Sequence, residues 1–279
     1  MMAAVEQSDL ETSTFEALAA LAHRESGLQL VPEKRLMVQS RLRQRLNALR
    51  LPNFDAYTSF VQSEDGREEI RFMISALTTN VSQFFREDHH FALMQECLAD
   101  ILRKKISEGE RIRIWSAGCS NGQEPYSIAM ALLHAFPELK TADFKILATD
   151  IDPRVIAFAR RGQYTRRDTD QIPDEFQQEF FATDTANGGV NIVDDLKKFI
   201  SFRELNLLHQ WPMQQQFDCI FCRNVVIYFD VPTQEALWPR FRDKLYPHGL
   251  LFLGHSERIA DPEQFGLCNA GLTAYATKK

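Results

Sequence analysis

The chain has 279 residues, 44% of them hydrophobic and 25% charged, with a formal net charge of −6. This composition supports a globular core and speaks against general nucleic-acid binding. No apolar run approaches the roughly 20 residues needed to cross a bilayer, and the polar, acidic Met1–Glu11 stretch lacks a secretory-signal pattern. The expectation is a cytoplasmic protein with no membrane insertion and no nucleic-acid partner, acting as a monomer.

The first part of the chain reads as helical. Thr12-Ser13-Thr14 before Phe15 gives a helix start and Gly27 an end. Over Glu33–Arg50, Leu36, Val38, Leu42, Leu46 and Leu49 recur at mostly helical spacing. The same stretch carries Lys34, Arg35, Arg41, Arg43, Arg45 and Arg50, with no acid between Lys34 and Phe54. Two further helices are expected over Phe54–Ser63 and Arg67–Leu77. An all-α domain to about residue 79 follows, then a linker over 80–90, and a helix over Phe91–Ser107 that leads into a second domain, 91–279.

The pattern changes after residue 110. Strands are expected at Arg111–Ser116, Phe144–Thr149, Phe217–Cys222, Leu250–Leu253 and Leu272–Thr277. Helices alternate with them, beginning near Pro125, at Asp152-Pro153 and at Pro232, the last with Pro239 inside it. This alternation predicts an α/β fold with a mostly parallel sheet covered on both faces. Val190–Val193, an Asp194–Lys197 turn and Phe199–Phe202 interrupt it as a small inserted β-hairpin, placed at about 182–204. The five cysteines, at 97, 119, 219, 222 and 268, are odd in number and scattered, which speaks against a disulfide framework. Cys219 and Cys222 form a CxxC within a strand, where residues three apart face opposite sides, so no metal is expected there.

A strand, the turn Ala117-Gly-Cys-Ser-Asn-Gly122 and a helix start together make a nucleotide-binding corner, since glycines let backbone amides approach a ligand. The turn is GxxxG rather than GxGxxG, and alone it is weak. Asp150, ending the next strand, can accept both hydroxyls of a ribose or can cap a helix. Glu124 can contact a ligand or simply favour the helix dipole. Read without any resemblance, Arg86 can form a salt bridge between domains and Tyr228 can pack in the core.

Five segments carry a resemblance. They are Thr78-Thr-Asn-Val-Ser-Gln-Phe-Phe-Arg-Glu87, Trp115-Ser-Ala-Gly-Cys-Ser-Asn-Gly-Gln-Glu-Pro-Tyr-Ser127, Ala148-Thr-Asp-Ile-Asp152, Phe217-Asp-Cys-Ile-Phe-Cys-Arg-Asn-Val-Val-Ile-Tyr-Phe229 and His248-Gly-Leu-Leu-Phe-Leu-Gly-His-Ser-Glu257. In this order, over about 200 residues, the set resembles the CheR chemotaxis methyltransferases.

The resemblance implies a class I methyltransferase fold, Rossmann-like, with a seven-stranded mostly parallel sheet whose last strand is antiparallel. It implies S-adenosylmethionine as cofactor and S-adenosylhomocysteine as product. The implied reaction methylates glutamate side chains on the cytoplasmic domain of chemoreceptors, the methyl-accepting chemotaxis proteins. Asn80, Ser82 and Arg86 would reach over the cofactor from the linker, and Glu124 would meet its methionyl or ribose end. Asp150 would bind the ribose, and Asn206 and Leu207 would frame the adenine. Arg223 and Asn224 would close the pocket near the methionyl group, with Tyr228 close to the transferred methyl. Arg86, Arg223 and Tyr228 are the implied catalytic set.

The basic helix 34–50 would steer docking on an acidic receptor, with Arg41 and Arg45 as its probes. The β insertion resembles a subdomain that some members use to grip a receptor tether. Here it is compact, and tether-independent action is expected. Two rival readings are a methyltransferase for nucleic acid or a small molecule, and a cofactor-binding module without catalysis.

Overall fold

A computed structural model describes residues 9–183 and 188–278. The reading of Met1–Glu11 therefore lies mostly outside the described residues, as does the part of the insertion at 184–187. The chain divides into two compact units, one holding the residues up to Thr79 together with Tyr228–Thr233, the other Asn80–Ile227 with Gln234–Lys279.

The first unit is built of α1 (Thr12–Ser26), a 3-10 turn (Pro32–Lys34) running into α2 (Arg35–Leu49), α3 (Phe54–Gln62) and α4 (Arg67–Leu77). Gly27 ends α1 in the left-handed region at φ 72°, its N–H donating to the His23 carbonyl. Asn53 caps α3, its side chain accepting from the Ala56 N–H at 2.9 Å. Phe15, Leu18, Leu21, Val38, Leu42, Leu46, Tyr57, Val61 and Met73 form the core. Each stabilises the fold by about 1.5–3 kcal/mol on burial.

Two corrections concern α2. Leu36 is 73% exposed rather than core, because it lies on the face opposite Val38, Leu42 and Leu46. Arg41 and Arg45 are not surface charges. Arg41 donates to the Leu77 and Thr78 carbonyls at 2.7 and 2.9 Å and so caps the end of α4. Arg45 forks onto the buried carboxylate of Glu69 at 2.8 and 2.6 Å, where the Tyr57 hydroxyl also donates at 3.0 Å.

The second unit contains, in order, α5 (His89–Glu108), β1 (Ile112–Ala117), α6 (Gln123–Ala135), β2 (Phe144–Asp150), α7 (Pro153–Arg161), β3 (Gln163–Tyr164), α8 (Arg166–Thr169), α9 (Asp174–Phe180), β4 (Phe181–Thr183), β5 (Val190–Ile192), α10 (Asp194–Lys197), β6 (Ile200–Glu204), β7 (Phe217–Cys222), α11 (Val231–Asp243), β8 (Leu245–Leu253), β9 (Leu267–Gly271) and β10 (Ala274–Thr277). The main sheet has seven strands in the order β6-β2-β1-β7-β8-β10-β9. Pairing is parallel from β6 to β8 and antiparallel at β8–β10 and β10–β9. The last strand therefore runs against the rest. The α/β class and the seven-stranded, mostly parallel sheet are as the sequence led us to expect.

Every residue of β7 is buried, which suits a central strand covered on both faces. Phe221 stacks on Phe252 with ring centroids 4.6 Å apart. Elsewhere in this unit Trp115, Trp211 and Phe241 form an aromatic cluster.

The inserted hairpin is not formed as expected. Val190–Ile192 pairs antiparallel with β3 and β4 in a separate three-stranded sheet. Phe199–Phe202 instead contributes to β6, which joins the main sheet parallel to β2, from Ile146↔Ile200 to Asp150↔Glu204. The buried alternation of Ile200 and Phe202 pairs over five positions with β2, a longer ladder than three-residue β5 could offer. A second difference is that the strand expected at Leu250–Leu253 starts earlier, at Leu245, and takes in Pro247-His248-Gly249. Those three residues form a bulge inside β8, with the register shifting between Phe217↔Leu245 and Cys219↔Leu250 and His248 at φ 65°. The last strand also begins later than read, at Ala274, because Thr273 at φ 49° turns the chain back from β9.

Candidate functional site

The parallel strands β1, β2 and β7 end on one edge of the sheet. After β1 the chain moves outward to β2, and after β6 it returns to β7 on the other side of β1, so the crevice between them is a topological switch point. The turn after β1 bends through Gly118 and Gly122, both at φ 91°, and Ser120 at φ 48°. Gly122 is held to glycine by space as well, since a Cβ there would lie 2.8 Å from the Ala159 Cβ.

Asp150, at the end of β2, is buried. Its Oδ2 accepts from the Ser120 N–H at 2.8 Å and its Oδ1 from the Asp152 N–H at 3.0 Å. Burial pushes this carboxyl up to about 6, against the pull of those amides. The helix-capping alternative is settled, because Asp152 caps α7 by accepting from the Arg154 N–H at 2.9 Å. The other oxygen of Asp152 accepts from the Asn80 side chain at 2.9 Å, and the Asn80 carbonyl accepts from the Ser120 hydroxyl at 3.1 Å. Asn80 thus ties the start of this unit to the glycine turn.

Arg223 follows β7, its side chain only 2% exposed. Its Nη1 lies 3.3 Å from Glu124 Oε2 and its Nη2 3.3 Å from Glu87 Oε2, while Nη2 also donates to the Arg86 carbonyl. One guanidinium is therefore held between two carboxylates. Glu124 also accepts from the Ser116 hydroxyl at 2.7 Å, and burial raises its carboxyl despite Arg223. Burial would raise Glu87 too, but Arg223 and His255 more than offset it and hold that carboxyl low. His90, packed beneath, is fully buried and pushed down to about 4, chiefly by burial and then by Arg223, so it is neutral at pH 7.

The remaining expected residues are placed as follows. Ser82 is half-buried on the 80–87 segment. Arg86 is 31% exposed, its Nη1 donating to the Val81 carbonyl at 3.4 Å and its Nε 3.8 Å from Glu87. The Asn206 side chain accepts from the Leu208 N–H at 2.9 Å, just after Leu205 N–H bonds the Asp150 carbonyl. Leu207 is buried, and its carbonyl accepts from Trp211 and Arg240 at 3.0 and 2.7 Å. Asn224 is left-handed at φ 59°. Tyr228 belongs to the first unit, where its carbonyl accepts from the Gln29 N–H at 2.9 Å.

Three groups that sequence reasoning gave no role are central. Glu87 bridges Arg223 and His255. Asp152 joins Asn80 to α7. The carboxylate of Glu257 accepts from the N–H groups of Gly254, Asn224, Val225 and Ile227 at 2.6 to 3.1 Å, and so shapes the loop after β7. Gly254 must be small there, as a Cβ would lie 2.4 Å from the Asn224 side-chain Nδ2 and 2.7 Å from its backbone nitrogen. Glu87 and Glu257 close two of the resembling segments, which was the available signal. Among the described residues no group of metal-ligating side chains assembles, and Cys219 and Cys222 are buried thiols raised by that burial.

The donor set fits S-adenosylmethionine. A buried carboxylate faces the switch point, acids outnumber the single buried guanidinium, and Arg223 Nε and Gln123 Oε1 are buried without a hydrogen-bond partner among the described residues. Such a site suits a ligand with a diol, an ammonium group and a sulfonium.

Comparison with known proteins agrees. Residues 80–273 match the family described as "CheR methyltransferase, SAM binding domain", and residues 13–78 match "CheR methyltransferase, all-alpha domain". A probable chemotaxis protein methyltransferase of Rhizobium etli is 41% identical over 257 residues, covering 91% of this chain and 96% of that protein. The chemotaxis protein methyltransferase of Escherichia coli is 40% identical over 280 aligned residues, covering 98% and 94%. Chemotaxis protein methyltransferase 2 of Pseudomonas aeruginosa is 39% identical over 265 residues, covering 94% and 92%. With a cofactor corner of the right chemistry and both units matched along most of their length, the chain belongs to the CheR family of S-adenosylmethionine-dependent chemotaxis methyltransferases.

Proposed function

We propose that the protein transfers the methyl group of S-adenosylmethionine to glutamate side-chain carboxylates on the cytoplasmic domain of chemoreceptors, releasing S-adenosylhomocysteine and leaving glutamyl methyl esters. The observation that carries this reading is the cluster of Asp150 at the end of β2, Glu124 in the first turn of α6, and Arg223 just past β7. The bound cofactor supplies an electrophilic methyl on a sulfonium.

The residues of the chain do the rest. Asp150 accepts the ribose hydroxyls, Asn80, Ser82 and Glu124 hold the cofactor, and Asn206 and Leu207 frame its base. Arg223 and Asn224 close the methionyl end, and Tyr228 lines the path of the methyl. Arg223 is already shared between two carboxylates, so Arg86, with a third of its side chain exposed, is the arginine for the substrate. A glutamate nucleophile is ionised at pH 7, so no general base is called for. Alignment and exclusion of water are the main tasks.

The exposed Arg35 and Arg50 and the half-exposed Lys34 and Arg43 of the basic stretch favour the encounter with an acidic receptor helix. Arg41 and Arg45 hold the first unit together instead. Among the described residues no helix is long and apolar enough to cross a membrane. The proposal further takes the enzyme to be cytoplasmic and monomeric and to need no receptor tether.

The test is transfer of labelled methyl to a purified receptor cytoplasmic domain. Base-labile label on glutamates is the expected result. Base-stable label, or label on another side chain, would overturn the reading.

A further inference from the structure

We infer that His255, held by Glu87, reads the incoming substrate carboxylate, and that Glu87 is the positioning residue linking this reader to Arg223. The inference rests on the carboxylate-methylation reading above and adds two residues to it.

The need for a reader follows from charge. Glu87, Glu124 and Asp150 bring three carboxylates to the site, and Arg223 is the one guanidinium buried among them. The bound cofactor's cationic groups and Arg86 offset part of this negative charge, and a further cation at the edge of the cluster favours an approaching glutamate. Arg223 cannot turn outward, being buried and engaged on both terminal nitrogens. His90 is buried, and its Nε2 lies 3.0 Å from the Thr273 hydroxyl and 3.1 Å from the Leu272 carbonyl. Among the described residues, the cations that touch the cluster with exposed side chains are Arg86 and His255.

His255 is built for the role. It follows β8 in the Gly254–Glu257 turn and is 61% exposed. Glu87 Oε1 accepts from its backbone N–H at 3.2 Å and lies 3.0 Å from its Nδ1. The residue is thus fixed at two points, and a proton is kept on Nδ1. Nε2, across the ring, has no partner among the described residues. When the ring is protonated, Nε2–H becomes a donor aimed away from Glu87, the geometry a carboxylate acceptor needs. The groups facing this ring and its anchor are Glu87 directly, then Arg223, Arg86 and His90 around Glu87. The Glu257 carboxylate, two residues on, is turned to backbone amides.

Glu87 itself is held at φ 55°, and Phe85 at φ 51°, both in the left-handed region. Non-glycine residues occupy that region at a cost, which collects at working positions. The cost here brings a single carboxylate between Arg223 on one side and His255 on the other.

The experiment compares wild type, His255→Ala, His255→Arg and Glu87→Gln with a receptor cytoplasmic domain, measuring KM and kcat for receptor at one fixed pH. Calorimetry with S-adenosylhomocysteine runs in parallel as a check on folding. In His255→Ala the receptor KM should rise about tenfold, the size of one lost charged hydrogen bond, with kcat and nucleoside affinity little changed. His255→Arg should restore KM. Glu87→Gln should raise KM and lower kcat together, since it loosens both Arg223 and His255. An unchanged receptor KM in His255→Ala, or a receptor KM in His255→Arg as high as in His255→Ala, would overturn the assignment while wild type remained active. A wild type that methylates no receptor carboxylate would instead overturn the reading on which the assignment rests, and the assignment with it.

Discussion

Strand β7 carries a buried ion pair near each end, and the two differ in kind. Near its start, Asp218 takes Lys105 Nζ at 2.5 Å on one oxygen and the Arg113 N–H at 2.8 Å on the other. Lys105 also sits 3.9 Å over the Tyr246 ring. One cation meets one anion, and both oxygens are satisfied. Past the end of β7, Arg223 meets two carboxylates, its Nε is buried without a partner among the described residues, and acids are in excess. A balanced, saturated pair ties α5 to the sheet. An unbalanced, unsaturated one is left with charge and hydrogen-bonding capacity for a ligand. The difference explains why the carboxyl end of the same strand is the functional one.

The sharpest way to break this comparison is to remove the cation at the functional end. Arg223→Met leaves Glu87 and Glu124 buried against each other, so stability should fall by about 3–5 kcal/mol and methyl transfer should be lost. Urea unfolding and the transfer assay read these separately. Adding Glu87→Gln should recover stability but not activity. Recovery of both would make Arg223 a structural tie like Lys105.

At the other end, Lys105→Met should cost a comparable amount, about 3 kcal/mol, and Asp218→Asn added to it should recover most of the loss. Neither variant should alter cofactor affinity in calorimetry. A change there would show that the balanced end also serves the site.

Asp150 sharpens the contrast through pH. Asp150→Ala should weaken cofactor binding by about 1.5–3 kcal/mol, the range for a hydrogen bond to a charged group. In the role proposed for Asp150, the ligand's hydroxyls need the ionised carboxylate, which burial has made a stronger base. Wild-type affinity should therefore hold above about pH 6 and fall as the pH drops through that value. In Asp150→Ala that inflection should vanish. For the cofactor-free fold the sign is reversed. A raised carboxyl binds its proton more tightly folded than unfolded, so this group's unfavourable contribution is present above about pH 6 and disappears toward lower pH.

The smallest expected effect is on the surface. Lys34→Glu with Arg50→Glu should raise receptor KM only about two- to fivefold at low salt, and less at high salt. Arg45→Glu should instead unfold the first unit at lower urea, because it sets a second acid against buried Glu69.

Most elements, and the strand–turn–helix corner after β1, were legible in the sequence. β7 was legible as a six-residue run apolar but for Asp218, α4 as a helical period bounded at both ends, and Gly118–Gly122 with Asp150 as a strand–turn–helix signature, because each is written within a few neighbouring residues. Only the tertiary structure decided which strands pair, which charges are internal and which carboxylates organise the site. Ile200–Glu204 could pair with β5 nearby or with β2 fifty residues back, and the longer ladder prevailed. Arg41 and Arg45 look like any exposed basic residues until Leu77 and Glu69 come round to meet them. Glu87, Glu257 and His255 are ordinary surface types in sequence, and they acquire their roles from partners more than 130 positions away, or from a loop that only the closed sheet brings within reach. Local periodicity encodes elements. Long-range charge pairing depends on the packed geometry that those elements reach together.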